Sequence, residues 1–243
     1  MSFVHQHIES LVSTNDTLWE LSEKVELQHF HTVSTDFQLK GKGLDENGWE
    51  SEFSKNILFS TMVFPTFLVP SEAFQISRWV SLSIIEYLKS KGLEDLKIKW
   101  PNDIYVGKKK IAGILIQNSI IGSQISKSMF GIGLNINQYY FVSEAPNPVS
   151  LVQLKPANYE ILTEMNQLLE ILQYNYRILQ NHPQKVKYDY HYLLYQLEEW
   201  KSYQTNLGTM EGKITGVDEF GRLALLDRSE QVHTFDIKEI RFL

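Results

Sequence analysis

The feature that most constrains this chain is a pair of apolar, β-rich runs joined by a two-residue break. Lys99-Trp100-Pro101-Asn102-Asp103-Ile104-Tyr105-Val106 is followed by Gly107-Lys108, and then by Lys109-Lys110-Ile111-Ala112-Gly113-Ile114-Leu115-Ile116-Gln117. β-formers on both sides of a Gly-containing break predict a hairpin, with Gly107 placed where a positive φ is needed. The mouth of this hairpin carries an acid, an amide and several lysines. Lysines at a loop tip are ordinarily solvated, and Lys108 and Lys109 fit that account. Lys110 differs, because it runs into Ile111-Ala112-Gly113, where small residues let another group approach the backbone. Residue by residue, an ordinary hairpin and a binding site both remain open.

The chain has 243 residues, 43% of them hydrophobic, enough for one large domain with a small one appended. It contains no cysteine, which excludes disulfides, thiolate metal sites and a cysteine nucleophile. Residues 1–10 show no basic stretch leading into an apolar core, and no run has the length of a membrane span, so a soluble, cytoplasmic protein is expected. A net charge of −6 without a long basic run argues against a general nucleic-acid binder, while leaving room for a nucleotide in a local basic pocket.

Along the chain, an alternating piece from Phe3 leads into Ser13-Thr14-Asn15-Asp16 and then a helical pattern through Glu23. The polar cluster predicts a helix N-cap, and a helix N-terminus with free hydroxyls also suits a small polar head group. His5 with His7, and His29 with His31, are spaced to share a strand face, and lack a carboxylate partner in metal-ligand spacing. A strand ending near Gln38 opens into Lys40-Gly41-Lys42-Gly43-Leu44-Asp45-Glu46-Asn47-Gly48-Trp49, either a surface loop or one that folds over a ligand and brings lysine to a phosphate. The apolar run 57–64 resumes the sheet. Residues 72–91 read as an amphipathic helix ended by Gly92. Residues 127–137 read as a strand whose Gly131 and Gly133 suggest a close approach. A loop spans 140–157, and helices are expected over 158–180 and 184–203. After Asn206, short alternating segments with Gly turns predict a small barrel.

The string Lys-Trp-Pro-Asn-Asp-Ile-Tyr-Val with Gly-Lys-Lys-Lys-Ile-Ala-Gly-Ile-Leu-Ile resembles the signature of the biotin protein ligases. Gln38, Gly41, Gly43 and Trp49 match that family's Gly-Arg-Gly-Arg loop, but Lys42 and Leu44 stand where it has arginines. The resemblance implies an α+β fold, with a mixed sheet and helices of the class II synthetase-like kind over residues 1–204 and an SH3-like barrel over 205–243. It implies an ATP-dependent reaction in which biotin is activated as biotinyl-5'-AMP and passed to a lysine of a biotin carboxyl carrier domain.

By the same resemblance, Ser13, Thr14, Asn15, Gln38, Gly41, Lys42, Lys110 and Gly113 are assigned to biotin. Lys42, Gly43, Leu44, Trp49, Asn102, Lys110 and Asn135 are assigned to the nucleotide. Lys110 and Asp103 are the catalytic candidates, with Asp103 a candidate for Mg2+ as well. With Lys42 and Leu44 in place of the arginines, either the adenylate is held less firmly than is usual in the family or another cation such as Lys40 or Lys55 moves in. The start of the Ser-Thr-Asn turn at residue 13 leaves no room for a winged helix, so no DNA binding is expected, and no membrane partner; a homodimer is in keeping with the family. The alternatives are a lipoate or octanoate ligase or transferase of the same superfamily, and a non-catalytic biotin or adenylate binder.

Overall fold

The computed structural model describes residues 4–44, 48–142, 147–206 and 208–243; Phe3, at the head of the alternating piece, and Asp45-Glu46-Asn47 in the loop lie outside them. The chain runs β1 (His5–Leu11), α1 (Thr14–Lys24), β2 (His31–Gln38), β3 (Asn56–Val63), α2 (Phe74–Ser90), β4 (Leu96–Lys99), β5 (Asp103–Val106), β6 (Lys109–Ile121) and β7 (Gln124–Asn135). It continues with α3 (Leu151–Leu154), α4 (Ile161–Asn181), α5 (Pro183–Tyr192), β8 (Trp200–Thr205), β9 (Gly208–Val217), β10 (Leu223–Asp227), β11 (Val232–Phe235) and β12 (Ile240–Phe242).

The expected hairpin is β5 and β6, closed by Gly107 at φ 58°. It belongs to a seven-stranded mixed sheet of order β1-β2-β3-β7-β6-β5-β4, in which only β1 and β2 are parallel, joined through α1. β7 lies at the centre, paired with β3 from Asn56↔Asn135 to Val63↔Ser128 and with β6 from Ala112↔Leu134 onwards. Successive side chains of a strand alternate between faces. One face therefore gives Ile57, Leu134, Ala112 and Ile104 to a core under α2 and α4, where Ile76, Trp79, Val80 and Leu172 are buried. The other face is covered at one end by α1, which seals a smaller cluster of Leu18, Leu27, Val33, Met62 and Met129. The rest of that face is left for a cleft.

A five-stranded antiparallel sheet of order β11-β10-β9-β8-β12 ends the chain, matching the expected second β unit. It is tied to the first by Trp100 Nε1 donating to Gly221 O at 2.8 Å and by Arg78 Nη2 donating to Asp218 O at 2.7 Å. It begins earlier than expected. The helix expected over 184–203 stops at Tyr192 with Leu193 as its cap, Gln196 and Glu198 at φ 59° keep the following turns from resuming it, and the alternating Trp200–Thr205 buries Tyr203 and Thr205 as β8. The expected loop at 140–157 also contains the single turn α3. Among the described residues no helix is long and apolar enough to cross a membrane.

The histidine pairs separate. His5 and His7 do share a face of β1, both bonded to Ser34 Oγ, at 2.7 and 3.0 Å. His29 lies before β2, where its Nδ1 accepts from Phe64 N at 3.1 Å, and no group of three metal-ligating side chains occurs among the described residues. Burial pulls the His29 imidazole below the usual histidine value of 6.5. Protonation would also destroy its acceptor. A depressed folded-state pKa gives stability that is complete above the unfolded value near 6.5 and is lost as pH falls. The unfolding midpoint is therefore expected to drop between pH 7 and 5, with His29 titrating below 6.5 by NMR. A His29 titration at or above 6.5 would contradict this account.

Candidate active site

The cleft has a volume of about 880 Å³ and its floor is a single cross-strand row. Lys99 pairs with Asp103, Asp103 with Gly113, Gly113 with Gly133, and Gly133 with Leu58, so these residues present to the same face. Two glycines side by side in mid-sheet leave a flat patch between the charged end of the row and the apolar end.

Lys110 reaches this face through an irregularity. Simple alternation from Gly113 would turn Lys110 toward the helical core with Ala112. The register between β5 and β6 shifts at Ile104/Tyr105, so that Ile104 opposes Ala112 while Tyr105 opposes Lys110, and Ile111 is the extra residue. Ile111 and Ala112 are both fully buried, and Lys110 is returned to the cleft side. Such bulges re-aim a side chain without breaking the strand. Lys110 Nζ lies 2.7 Å from Asp103 Oδ1 and 5.5 Å from the centre of the Trp49 ring. Lys99 stands beside the pair. Burial pulls its ammonium below the usual lysine range; Asp103 opposes the fall and Lys110 adds to it. Asp103 is thus paired with Lys110 alone, while the Lys99 ammonium donates to the Tyr105 hydroxyl at 3.3 Å and acts on the carboxylate from further off, so the end of the row has an excess of positive charge.

The opposite end of the cleft is polar and closed. Ser13 caps α1, Thr14 and Asn15 begin it, and all three are buried. Gln38 Oε1 accepts from Thr14 N at 2.8 Å and from Thr14 Oγ1 at 3.1 Å. The Ser60 hydroxyl lies 2.8 Å from Thr14 Oγ1 and also contacts Asn15 Oδ1. Asn15 fills the space over Gly131, where a Cβ would stand 2.0 Å from its Oδ1.

The Gly-rich loop covers the middle. Trp49 N donates to Gly41 O at 2.9 Å, and Lys42 bridges Gly48, so the loop closes on itself. Lys42 Nζ holds Asp16 Oδ1 at 2.6 Å, latching the loop to the first turn of α1. The Trp49 indole lies on the paired glycines, its Nε1 buried and without a hydrogen-bond partner among the described residues. What the glycines of β6 and β7 admit is therefore the protein's own indole.

Ser13, Thr14, Asn15, Gln38, Gly41, Lys42, Gly43, Leu44, Trp49, Asn102, Asp103, Lys110 and Gly113 all line this one cleft. The model of the Biotin/lipoate A/B protein ligase family matches residues 7–137, more than half of the chain. The chain belongs to that family. It is 36% identical over 108 residues to biotin--protein ligase 1, chloroplastic, of Arabidopsis thaliana, a match covering 42% of this chain and 29% of that protein. It is 26% identical over 247 residues to the bifunctional ligase/repressor BirA of Bacillus subtilis, covering 94% of this chain and 71% of that protein. A solved biotin protein ligase of Aquifex aeolicus, in complex with biotin and ATP, shares the fold with a TM-score of 0.81 at 21% identity, over 99% of this chain and 98% of that one.

Against the ligase-family pattern, three placements differ from expectation. Asn135 has the same alternation phase as Gly131 and Gly133 but does not line the cleft, since the segment at Val149 covers it and accepts from its Nδ2 at 3.1 Å. Lys55 is exposed and outside the lining, whereas Lys40 is part of it. Asp103 does not fit a metal-ligand role, because its carboxylate is engaged by the Lys110 ammonium with Lys99 close by. Two cations escaped the sequence reading, Lys99 and Arg241. Lys99 carried a signal, as the first residue of the signature string. Arg241 had none, since it reaches the cleft from β12 of the second sheet.

Proposed function

We propose that the chain is an ATP-dependent ligase that joins biotin to AMP and then transfers the biotinyl group to the lysine of a biotin carboxyl carrier domain. The observation that carries this reading is a cleft with two unlike ends: buried hydrogen-bonding groups at Ser13, Thr14 and Asn15, and the Lys110–Asp103 pair at the other. A small apolar body with one neutral polar head and one carboxylate matches that polarity.

In the first half-reaction a biotin carboxylate oxygen attacks the α-phosphorus of ATP and pyrophosphate departs. Lys110 sits where the new acyl–phosphate bond forms and stabilises the charge that gathers on its oxygens. Lys42 and Lys40 on the loop, with Arg241 from β12, supply countercharge to the phosphates in place of the arginine that Leu44 replaces. In the second half-reaction the carrier's neutral ε-amine attacks the acyl carbon, AMP leaves, and the amine's proton is lost. Asp103 acts as a positioning residue that holds the Lys110 ammonium in place. Asn102 fixes the turn itself, donating from Nδ2 to Ile114 O at 2.9 Å.

Pyrophosphate release is the direct measurement. ATP with biotin is expected to give release that depends on biotin, and transfer of label to a carrier domain should follow. Release with lipoate or octanoate instead would move the chain to the lipoyl branch of its family. Binding of biotin without release would make it a non-catalytic binder.

A further inference from the structure

A second cavity, of about 400 Å³, lies away from the cleft, where α5 passes β9 of the C-terminal sheet. Arg78, 2% exposed, and Tyr190, 1% exposed, form its base. A guanidinium at that depth ordinarily meets a carboxylate. Arg78 does not. Its Nη2 donates to Val217 O at 3.4 Å and Asp218 O at 2.7 Å, and no hydrogen bond from Nε or Nη1 is formed to a described residue. The Asp218 carboxylate is committed elsewhere, accepting from Arg222 N at 2.9 Å and Arg222 Nε at 2.8 Å. The only acid of α5, Asp189, pairs with Lys185.

The Tyr190 hydroxyl is a second anomaly. It is buried and has no hydrogen-bond partner among the described residues, although a buried phenol usually finds one. The wall of the cavity adds Lys187 and His191 from α5, and among the described residues neither Asp nor Glu contributes to the lining. One buried guanidinium, an exposed lysine, one unmet hydroxyl and no acid among the described lining residues make a cavity that lacks an anion.

The geometry points to a binding site for a small phosphate-type oxyanion at this seam, with Arg78 and Tyr190 at its base and Lys187 at its mouth. Two cations favour a dianion over a monocarboxylate, and Arg78, its guanidinium stacked 5.0 Å over the Phe74 ring and 6.0 Å over the Tyr190 ring, keeps the planar fork of donors that phosphate oxygens accept. A role for Arg78 as a tether alone explains its carbonyl bonds. It leaves the Tyr190 hydroxyl and the acid-free lining unexplained.

The test is a titration of the full chain with inorganic phosphate, ionic strength held constant with chloride, following the thermal midpoint and the heat of binding. A saturable response is expected. Because Arg78 also holds the C-terminal sheet, the informative variants are Lys187→Gln and Tyr190→Phe, which leave the tether in place. Each is expected to weaken phosphate binding about fivefold or more, with the midpoint in chloride nearly unchanged for Lys187→Gln. Phosphate bound only in the main cleft would not respond to either change. No saturable response in the wild-type chain, or equal affinity in both variants and wild type, would overturn the proposal.

Discussion

Lys110→Ala is expected to lower biotin-dependent pyrophosphate release by about 10²- to 10³-fold while the chain stays folded, the size of effect found when one fixed donor to a developing anion is removed. No other lysine reaches the same point by the same route, because the bulge at Ile111 is what brings this ammonium onto the row of Asp103 and Gly113. Losing one member of a largely buried ion pair usually costs about 3–5 kcal/mol, since the abandoned charge has no partner. Here Lys99 is set opposite Asp103 in the register and remains to face it, so a smaller loss of about 1–2 kcal/mol is expected. Turnover and the unfolding midpoint therefore separate the two roles. A variant with near wild-type release and a lowered midpoint would reduce Lys110 to a structural residue.

The hairpin that carries Lys110 was legible because its information is local: two β-forming runs, a two-residue turn and a glycine able to take φ 58°. The Ser13 cap and the end of α2 just before Gly92, which takes φ 75°, were legible for the same reason. The direction of Lys110 was not. The small residues Ala112 and Gly113 marked a place where a group could approach, while strict alternation from Gly113 would have sent Lys110 to the core. Asn135 failed in the opposite way. Its alternation was right, but a segment fourteen residues further on covers it, and such a crossing leaves no mark in the strand's own sequence. Arg241 is further still from any local signal, because its place depends on how the second sheet docks through Trp100 and Arg78. Periodicity and turn chemistry thus reach as far as one strand and its neighbours, while the lining of the cleft is completed by long-range packing.

The glycines of β6 and β7 give the second large effect. Gly133→Ala is expected to unseat Trp49 and raise the concentrations of biotin and ATP needed for half-maximal release by about tenfold or more, because the loop that carries Lys42 and Trp49 loses its seat on the floor of the cleft. A Cβ at Gly133 would lie 2.3 Å from Trp49 Cε2 and 2.6 Å from Nε1, closer than any real contact, so either the strand or the indole must move. β7 is held on both sides by β3 and β6 and cannot shift alone. The indole, on a loop fastened by the Gly41–Trp49 bond and the Lys42–Asp16 pair, is the part that yields. Overpacking of this kind costs about 1–3 kcal/mol. A double-mutant cycle identifies the cause. In a Trp49→Ala background the three atoms nearest the added methyl, all of the indole, are gone, and the stability penalty of Gly133→Ala is expected to fall to a few tenths of a kcal/mol. If the penalty is the same with and without the indole, the paired glycines serve the strand itself, and the seat assigned to Trp49 is lost.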